Sequence, residues 1–398
     1  MLELILALIL GIVAGTFTGL APGIHINLIA ALLVSSVDKF PTSGIVLAIF
    51  IVAMSITHTF LDFIPSIFLG APEEDTFLAI LPGHEMFLQG QGFQAVILTL
   101  YGSLFALIII ILYTPLFIFF LPSFYTLIKA AIPFLLIFIS LYLIFRESQP
   151  FQGALVFLLA GFLGYATFNL PIKEPLLPLL IGLFGTSALL MSLSSKANPK
   201  PQTIIPIKEI KLTKKEFWKA ALAASVAAPL CSFLPGIGSG HAAVLGSELW
   251  QQPRKSFLFL VGAINTIIMA LSFVTIFAIG RARSGSAAAI QTLLHKITLH
   301  DLLILLGTNI IAGSIAFFLG IIIAKFFAKS INKINYAKLT WSILGILIII
   351  NLIFSNWLGL LVLITSTALG VYTIAIGSKR INLMGALIIP AIIYYLVN

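Results

Sequence analysis

Apolar runs of about 20 residues recur from one end of this chain to the other, and they constrain its fold more than any other feature. A run of that length spans the hydrocarbon core of a bilayer as an α-helix. Lipid offers no hydrogen-bond partners to backbone N–H and C=O groups, whereas a helix satisfies its own. The runs therefore predict an all-α polytopic protein of the cytoplasmic membrane.

The composition agrees with this prediction and excludes other classes of protein. Of the 398 residues, 60% are hydrophobic and 9% are charged, whereas a soluble domain carries about 25% charged residues. The net charge of +9 lies mostly in short loops, which is the positive-inside bias of a membrane protein and not a nucleic-acid patch. The single cysteine, Cys231, excludes an intrachain disulfide. No metal site is expected, because neither His25 nor His241 has a second ligand at a zinc-like spacing.

The full membrane spans are predicted at about 43–62, 93–114, 124–145, 151–170, 176–193, 257–279, 301–324, 339–354, 357–376 and 382–397. Two more apolar segments, 2–20 and 217–234, end at Pro-Gly and precede a short helix of small residues. Because proline removes a backbone donor and glycine relaxes the chain, we predict that each helix breaks there and forms a re-entrant hairpin. The start of the chain lacks the basic region of a signal peptide, so 2–20 is expected to be a retained membrane segment.

The two halves of the chain resemble each other. The sequence LAPGI at 20–24 resembles FLPGI at 233–237, and FIPSIFLG at 63–70 resembles FVTIFAIG at 273–280, in the same order and at nearly the same spacing. This pattern predicts an internal repeat. We assign membrane repeat 1 to 1–193, a basic cytoplasmic linker to 194–216 and membrane repeat 2 to 217–398.

The orientation of the repeats follows from the number of crossings. With one re-entrant hairpin each, both halves cross the membrane five times, so they are expected to be inverted relative to each other. An inverted repeat with broken helices is typical of an alternating-access carrier. The basic linker marks the cytoplasmic side and places the N-terminus outside. The arginines of the loop at 281–283 would then face outside, which fits the charge rule poorly.

The residues around the two Pro-Gly segments are predicted to form a substrate site. Irregular backbone at membrane depth survives only where it is buried in protein or lines a wet cavity. The short helix that follows begins with unpaired N–H groups and a partial positive charge, which favour a carboxylate or a phosphate. The competing interpretation is tight helix packing at the glycines. The predicted substrate-binding residues are Thr18, Pro22, Gly23, His25, Asn27, Ser232, Pro235, Gly236, Gly238, Ser239, Gly240 and His241.

Charged residues form a second set of candidates. Arg281 and Arg283 are predicted to bind an anionic substrate, because a guanidinium pairs with a carboxylate bidentately. The matching loop of repeat 1, at 70–86, is acidic, and its carboxylates could bind Na⁺ or carry a proton. The alternative for these groups is a solvated loop charge or, for Asp62, a place at the membrane interface. The coupling-ion candidates are His58 and Asp62, which lie four residues apart on one helix face, and Glu73, Glu74 and Asp75.

The remaining polar residues have simpler interpretations. Asn265, Thr308 and Asn309 lie within predicted spans and are expected to form hydrogen bonds between helices. Ser239 and His241 stand two apart at a helix start, so their side chains diverge and a serine-hydrolase pair is not expected. We therefore predict no enzymatic activity.

Several of these motifs are shared with one transporter family. The Gly-rich segment at 15–27, and IPSIFLGAP at 64–72 running on to LPGHEMFLQGQG at 81–92, resemble the large membrane subunit of the tripartite tricarboxylate transporters. PGIGSG at 235–240 fits the repeated half of that family. The chain is shorter than usual for it, and an acidic run at 73–75 replaces small hydroxyl residues. The resemblance implies carboxylate transport with a small membrane subunit and a periplasmic binding protein.

Three functions remain open from the sequence. The first is a secondary carrier of a di- or tricarboxylate-like anion, coupled to Na⁺ or H⁺ and working by alternating access. The second is a translocase for a polyprenyl phosphate, since the same helix starts suit a phosphate and a groove between the repeats suits the chain. The third is a non-transporting membrane protein. The expected partners are the bilayer, the anionic substrate or lipid, the accessory subunits and a second copy of the chain, with no nucleic acid and no cofactor.

Overall fold

The computed structural model describes residues 2–21, 26–35, 42–70, 76–194, 200–234, 238–331 and 336–397. Within these ranges the chain is helical and contains no strand. Eight of the helices described are long and apolar enough to cross a membrane, judged by length and composition. The predicted class, an all-α polytopic membrane protein, is confirmed.

The helices of the first half are α1 (Leu2–Leu20), α2 (Ile26–Ser35), α3 (Gly44–Leu61), α4 (Phe63–Leu69), α5 (Phe77–Leu88), α6 (Gly92–Ile128), α7 (Ile132–Phe145), α8 (Pro150–Phe168), α9 (Leu176–Leu180) and α10 (Ser187–Ser194). A π-helical turn, Ile181–Thr186, joins α9 to α10. The helices of the second half are α11 (Lys214–Cys231), α12 (Ser239–Leu249), α13 (Arg254–Ile279), α14 (Gly285–Leu294), α15 (Leu299–Ser330), α16 (Tyr336–Ala375) and α17 (Gly385–Val397).

The helix before each Pro-Gly segment ends, and a new helix begins after it, as predicted. The first helix ends at Leu20 and α2 begins at Ile26, while α11 ends at Cys231 and α12 begins at Ser239. The Pro-Gly turns themselves lie outside the described residues, and their re-entrant course stays a prediction. A further break occurs in α16 at Asn356, whose φ of 60° leaves the helical region, and it separates two predicted spans.

Two predicted boundaries are wrong because prolines are tolerated inside these helices. The sequence predicts a loop between the spans ending at 114 and beginning at 124, but α6 continues through Pro115 and Pro122. The loop expected around Pro82 is likewise part of a helix, α5. Within a membrane bundle, neighbouring helices and local adjustments satisfy the carbonyl that a proline leaves without a donor. Proline is therefore a weaker helix terminator here than in a soluble protein.

The centre of the protein is formed by α3 and α13. In the most apolar stretch of α13, 94% of the residues are buried, and in that of the continuous α3–α4 segment 83% are buried. Helices α1 and α15 lie along α3, and α6 lies along α13. The crossing of α6 and α13 is close at Gly102 and Gly262, where a Cβ would lie 2.0 Å and 2.2 Å from the carbonyl oxygens of Phe259 and Thr99. Each half thus contributes one long helix against the central helix of the other half.

The remaining helices form a second group. Helix α17 lies along α8, α7 packs on α17, and α16 lies along the α9–α10 segment with its π-helical turn. Gly164 permits the approach of α17 to α8, because a Cβ there would lie 1.9 Å from the Ala386 carbonyl oxygen. The described chain therefore comprises a central bundle (α1–α6 and α11–α15) and a peripheral bundle (α7–α10, α16 and α17).

Two observations support the internal repeat. Gly70 ends α4 and Gly280 ends α13 with almost the same left-handed backbone, φ 64° and ψ 24° against φ 64° and ψ 22°. These glycines are aligned in the predicted repeats. In addition, the short helix after each Pro-Gly segment contacts a short helix of the opposite half: α2 contacts α14, and α12 contacts α5. The inverted relationship and the domain boundaries stay predictions.

Candidate functional site

A close approach of α1 to α3 positions the first polar pair. Gly15 faces α3, and a Cβ on it would lie 2.4 Å from the carbonyl oxygen of Met54. Glycine therefore allows backbone contact here that any other residue would obstruct. Thr18, one turn further along α1, places its hydroxyl 3.1 Å from Nδ1 of His58. Both side chains are buried.

Asp62 lies in the turn between α3 and α4, within an apolar segment of 26 residues. Its side chain is 2% exposed, so the carboxylate is not a solvated charge. Oδ2 accepts a hydrogen bond of 2.8 Å from Nδ2 of Asn265 on α13 and lies 4.0 Å from Nε2 of His58. The predicted shared face of His58 and Asp62 is confirmed. A line of four polar side chains, with Thr18 at one end and Asn265 at the other, thus joins α1, α3 and α13.

Further polar residues lie on the central helices α3 and α13 and on the neighbouring helix α15. The hydroxyls of Thr59 and Thr266 lie 3.1 Å apart between α3 and α13. The predicted interhelical hydrogen bond of Asn265 is confirmed. Because its partner is Asp62, Asn265 belongs to the candidate site. The prediction is wrong for Thr308, which donates to a carbonyl of its own helix. The side-chain amide of Asn309 has no hydrogen-bond partner among the described residues.

His241 lies fully buried in the first turn of α12. Its Nδ1 accepts a hydrogen bond of 3.3 Å from the backbone N–H of Gly238. In a neutral imidazole the proton is then carried by Nε2, for which no partner lies among the described residues. The start of α12 therefore offers a buried side-chain N–H donor beside the backbone N–H groups of its first turn, which carry the partial positive charge of a helix N-terminus.

Arg283 lies beside this helix start. Its Nε donates a hydrogen bond of 3.3 Å to the carbonyl of Leu234, just after α11. The guanidinium is also close enough to Cys231 and His241 to act on both electrostatically. Arg281, two residues earlier, is exposed. Of the two predicted arginines, the structure brings only Arg283 to the predicted anion site.

The other described residues of this constellation are also buried. The Ser232 hydroxyl donates to the Pro229 carbonyl at 2.7 Å, within its own turn. Ser239 is 2% exposed and Gly240 is buried, both in the first turn of α12. The second half therefore supplies a compact polar group around one helix start.

Asn27, at the start of α2, contacts the start of α14 in the other half. Its Oδ1 accepts hydrogen bonds from the backbone N–H and the hydroxyl of Ser286, at 3.0 Å and 3.3 Å. Gly285 permits this approach, because a Cβ there would lie 2.8 Å from the Asn27 Cβ. Ser284 caps α14 by accepting from the N–H of Ala287 at 3.1 Å. The sequence does not lead us to predict α14, although this capping serine before a Gly-Ser-Ala-Ala-Ala stretch is a signal for it.

Helix α13 connects the carboxylate region to the arginine region. The hydroxyl of Ser272 lies 3.5 Å from that of Ser284, the neighbour of Arg283. Ser272 follows Asn265 by two helical turns, about 10 Å along the axis. The buried Asp62 and the loop that carries the partly buried Arg283 therefore contact the same central helix at different depths.

The remaining predicted site residues lie outside the described residues, and their placement stays a prediction. They are Pro22, Gly23, His25, Glu73, Glu74, Asp75, Pro235 and Gly236.

Comparison with known proteins places this architecture in a family. A family model described as the tripartite tricarboxylate transporter TctA family matches residues 5–385. The chain belongs to the TctA family. The predicted resemblance is confirmed, and with it the general class of a multi-pass membrane transport protein. Members of this family are transporter components and not enzymes, and they work with a small membrane subunit and a binding protein.

This TctA chain also has a relative of nearly equal length. An uncharacterised protein of Methanocaldococcus jannaschii is 32% identical over 407 aligned residues, which cover 98% of this chain and 99% of that protein. No solved structure matches the chain.

Proposed function

We propose that this chain is the carrier subunit of a secondary transporter for a di- or tricarboxylate-like anion, coupled to Na⁺ or H⁺ and working by alternating access. The family supports the transport of carboxylates in general. The observation that carries the finer proposal is the buried helix start of α12, where His241 keeps an Nε2–H donor without a partner among the described residues, beside Arg283.

The helix start of α12 is suited to an anion for three reasons. Its backbone N–H groups carry a partial positive charge. His241 adds a fully buried directional donor, and the partly buried Arg283 adds a full positive charge. Hydrogen bonds between charged groups are worth about 1.5–3 kcal/mol each, which is enough to select a carboxylate over a neutral ligand. The start of α2 at Asn27, in the other half, is the proposed second wall of the site.

The polar line from Thr18 to Asn265 is suited to the coupling cation. A carboxylate this deep in an apolar bundle is costly unless it has a function or a strong partner. Asp62 and His58 together can hold one proton in two places, and the oxygens of Asp62 and Thr18 are hard ligands of the kind that Na⁺ prefers. Occupation by a cation would neutralise the charge between α3 and α13. Glu73, Glu74 and Asp75 remain candidates for the same role.

In an alternating-access cycle, the proposed anion site at the start of α12 and the proposed cation site at Asp62 would move together. The proposed orientation keeps the basic linker inside and the N-terminus outside. A small membrane subunit, a binding protein and a second copy of the chain are the proposed partners.

Counterflow in proteoliposomes tests the proposal. The purified chain is expected to exchange labelled di- or tricarboxylate saturably, with a dependence on a Na⁺ or pH gradient. Asp62→Asn is expected to abolish the gradient dependence, whereas the exposed carboxyl variant Glu3→Gln is expected to keep it. The absence of carboxylate exchange, together with transfer of a polyprenyl phosphate between leaflets, would replace this function with the lipid translocase.

A further inference from the structure

A groove of about 650 Å³ opens on the side of the central bundle, between α6, α11, α13 and the basic linker. Its floor is aromatic: the rings of Phe105, Phe217 and Phe259 lie with centroids 5.3 to 5.9 Å apart. The hydroxyl of Tyr101 donates to the carbonyl of Ile207 at 3.2 Å and fastens the linker across α6. The groove is therefore part of the folded structure, and none of its lining residues belongs to the proposed transport site.

The rim of the groove is basic. Lys208, Lys211 and Lys214 line it, and all three are exposed. None of the described residues that line the groove is acidic. Glu216, nearby on α11, already accepts hydrogen bonds from the backbone N–H and hydroxyl of Thr213. The lysine charges are therefore available to a ligand.

The groove also contains an interfacial aromatic. Trp218 lines it, is 59% exposed and contacts Phe217 with ring centroids 5.3 Å apart. Tryptophan is enriched where hydrocarbon meets the headgroups, because its ring is apolar and its N–H is polar. One groove thus combines lysines, an interfacial tryptophan and aromatic rings, which are suited to the phosphate, the interface and the acyl chain of a lipid.

We propose that this groove binds an anionic phospholipid of the leaflet on the linker side. Its phosphate lies among Lys208, Lys211 and Lys214, and one apolar chain lies on the aromatic floor. The charge complementarity favours an anionic lipid, because its phosphate supplies the counter-charge that three clustered ammonium groups attract. The bound lipid fixes the linker and the start of α11, the helix that leads to the anion site.

Quenching of Trp218 by brominated lipids tests the proposal. The chain has four tryptophans. A full-length variant that keeps only Trp218 is reconstituted in phosphatidylcholine vesicles with increasing fractions of brominated phosphatidylglycerol or brominated phosphatidylcholine. Half-maximal quenching is expected at a much lower fraction of the anionic lipid. A variant that keeps only Trp357, which is exposed and far from any lysine in the sequence, is expected to show no such preference.

The lysines are tested in the same Trp218 background. Removing Lys208, Lys211 and Lys214 together as glutamines is expected to weaken the anionic preference by about fivefold for each lysine. A control that replaces Lys173, Lys296 and Lys325 with glutamine changes the net charge equally and is expected to keep the preference for anionic lipid. Equal quenching by both lipids, or an unchanged preference without the three rim lysines, overturns the proposal. So does a copurifying polypeptide whose removal is needed before either lipid quenches Trp218, because the groove would then be a protein interface.

Discussion

The side-chain amide of Asn265 donates a hydrogen bond of 2.8 Å to Oδ2 of Asp62, across 203 residues of sequence. The two side chains are each 2% exposed and belong to the central helices of the two halves. A carboxylate at this depth loses its hydration, so the amide donor and the nearby His58 supply part of what water would have provided. This contact links the stability of the bundle to the charge on Asp62.

Removal of the amide donor is expected to destabilise the protein. Asn265→Ala leaves a buried acceptor with one donor fewer, which costs about 1–3 kcal/mol. Thermal unfolding in detergent, followed by helical circular dichroism, measures this loss. Asn169→Ala removes an exposed amide that bonds to its own helix and is expected to change the midpoint little. Equal midpoints for the two variants would show that the Asn265 contact contributes nothing to stability.

The two arginines of the same loop are expected to behave differently. Arg283→Gln removes the partly buried charge beside His241, and we expect KM for carboxylate counterflow to rise about 10-fold or more, since a charged hydrogen bond contributes about 1.5–3 kcal/mol. Arg281→Gln removes an exposed charge and is expected to leave KM within about twofold. If Arg281→Gln has the larger effect, the anion site does not lie at the start of α12.

A methyl group on Gly15 is expected to separate α1 from α3. The Cβ of Gly15→Ala would lie 2.4 Å from a backbone oxygen that cannot move easily, so overpacking should cost about 1–3 kcal/mol. The shift would also lengthen the contact between Thr18 and His58 and impair cation coupling. Gly307→Ala, on α15, meets nothing within 4 Å and is expected to be neutral or slightly stabilising because alanine favours the helix. The thermal unfolding midpoints of Gly15→Ala and Gly307→Ala test this prediction, and equal midpoints would contradict it.

The start of α11 is expected to be sensitive to pH. Hydrogen bonds from the backbone and side chain of Thr213, helped by the charge of Lys255, lower the pKa of Glu216 below its ordinary value. A lowered pKa means that this stabilisation is present above the ordinary value and is lost as pH falls through the lowered one. Thr213→Ala is expected to cost about 1 kcal/mol at neutral pH.

Two comparisons check this prediction. The difference between Thr213→Ala and the unaltered protein should shrink as pH is lowered through the titration of Glu216. Thr292→Ala, which removes an exposed hydroxyl bonded within its own helix, should show no comparable pH dependence. A difference that stays constant with pH would mean that the carboxylate takes no part in the cap.

The sequence by itself determined the membrane class, the family and most helix positions, because each rests on local hydrophobicity and on short motifs. It also determined that the helices are interrupted around both Pro-Gly segments, since proline and glycine act on the backbone where they stand. It did not determine α5 or the continuity of α6, because the neighbours that make a proline tolerable are distant in the chain. Helix α14 was missed for a different reason, since its capping signal is weak beside long apolar spans.

Only the tertiary structure decided which polar residues act together. Asp62 and Asn265 stand in different halves, and no spacing rule relates them. Likewise, the choice of Arg283 over Arg281 depends on which side chain turns toward α12, and Asn27 meets Ser286 only because Gly285 leaves room. Such contacts are set by how closely whole helices approach one another, and that approach is decided by glycines and side-chain volumes throughout the bundle rather than by any local pattern.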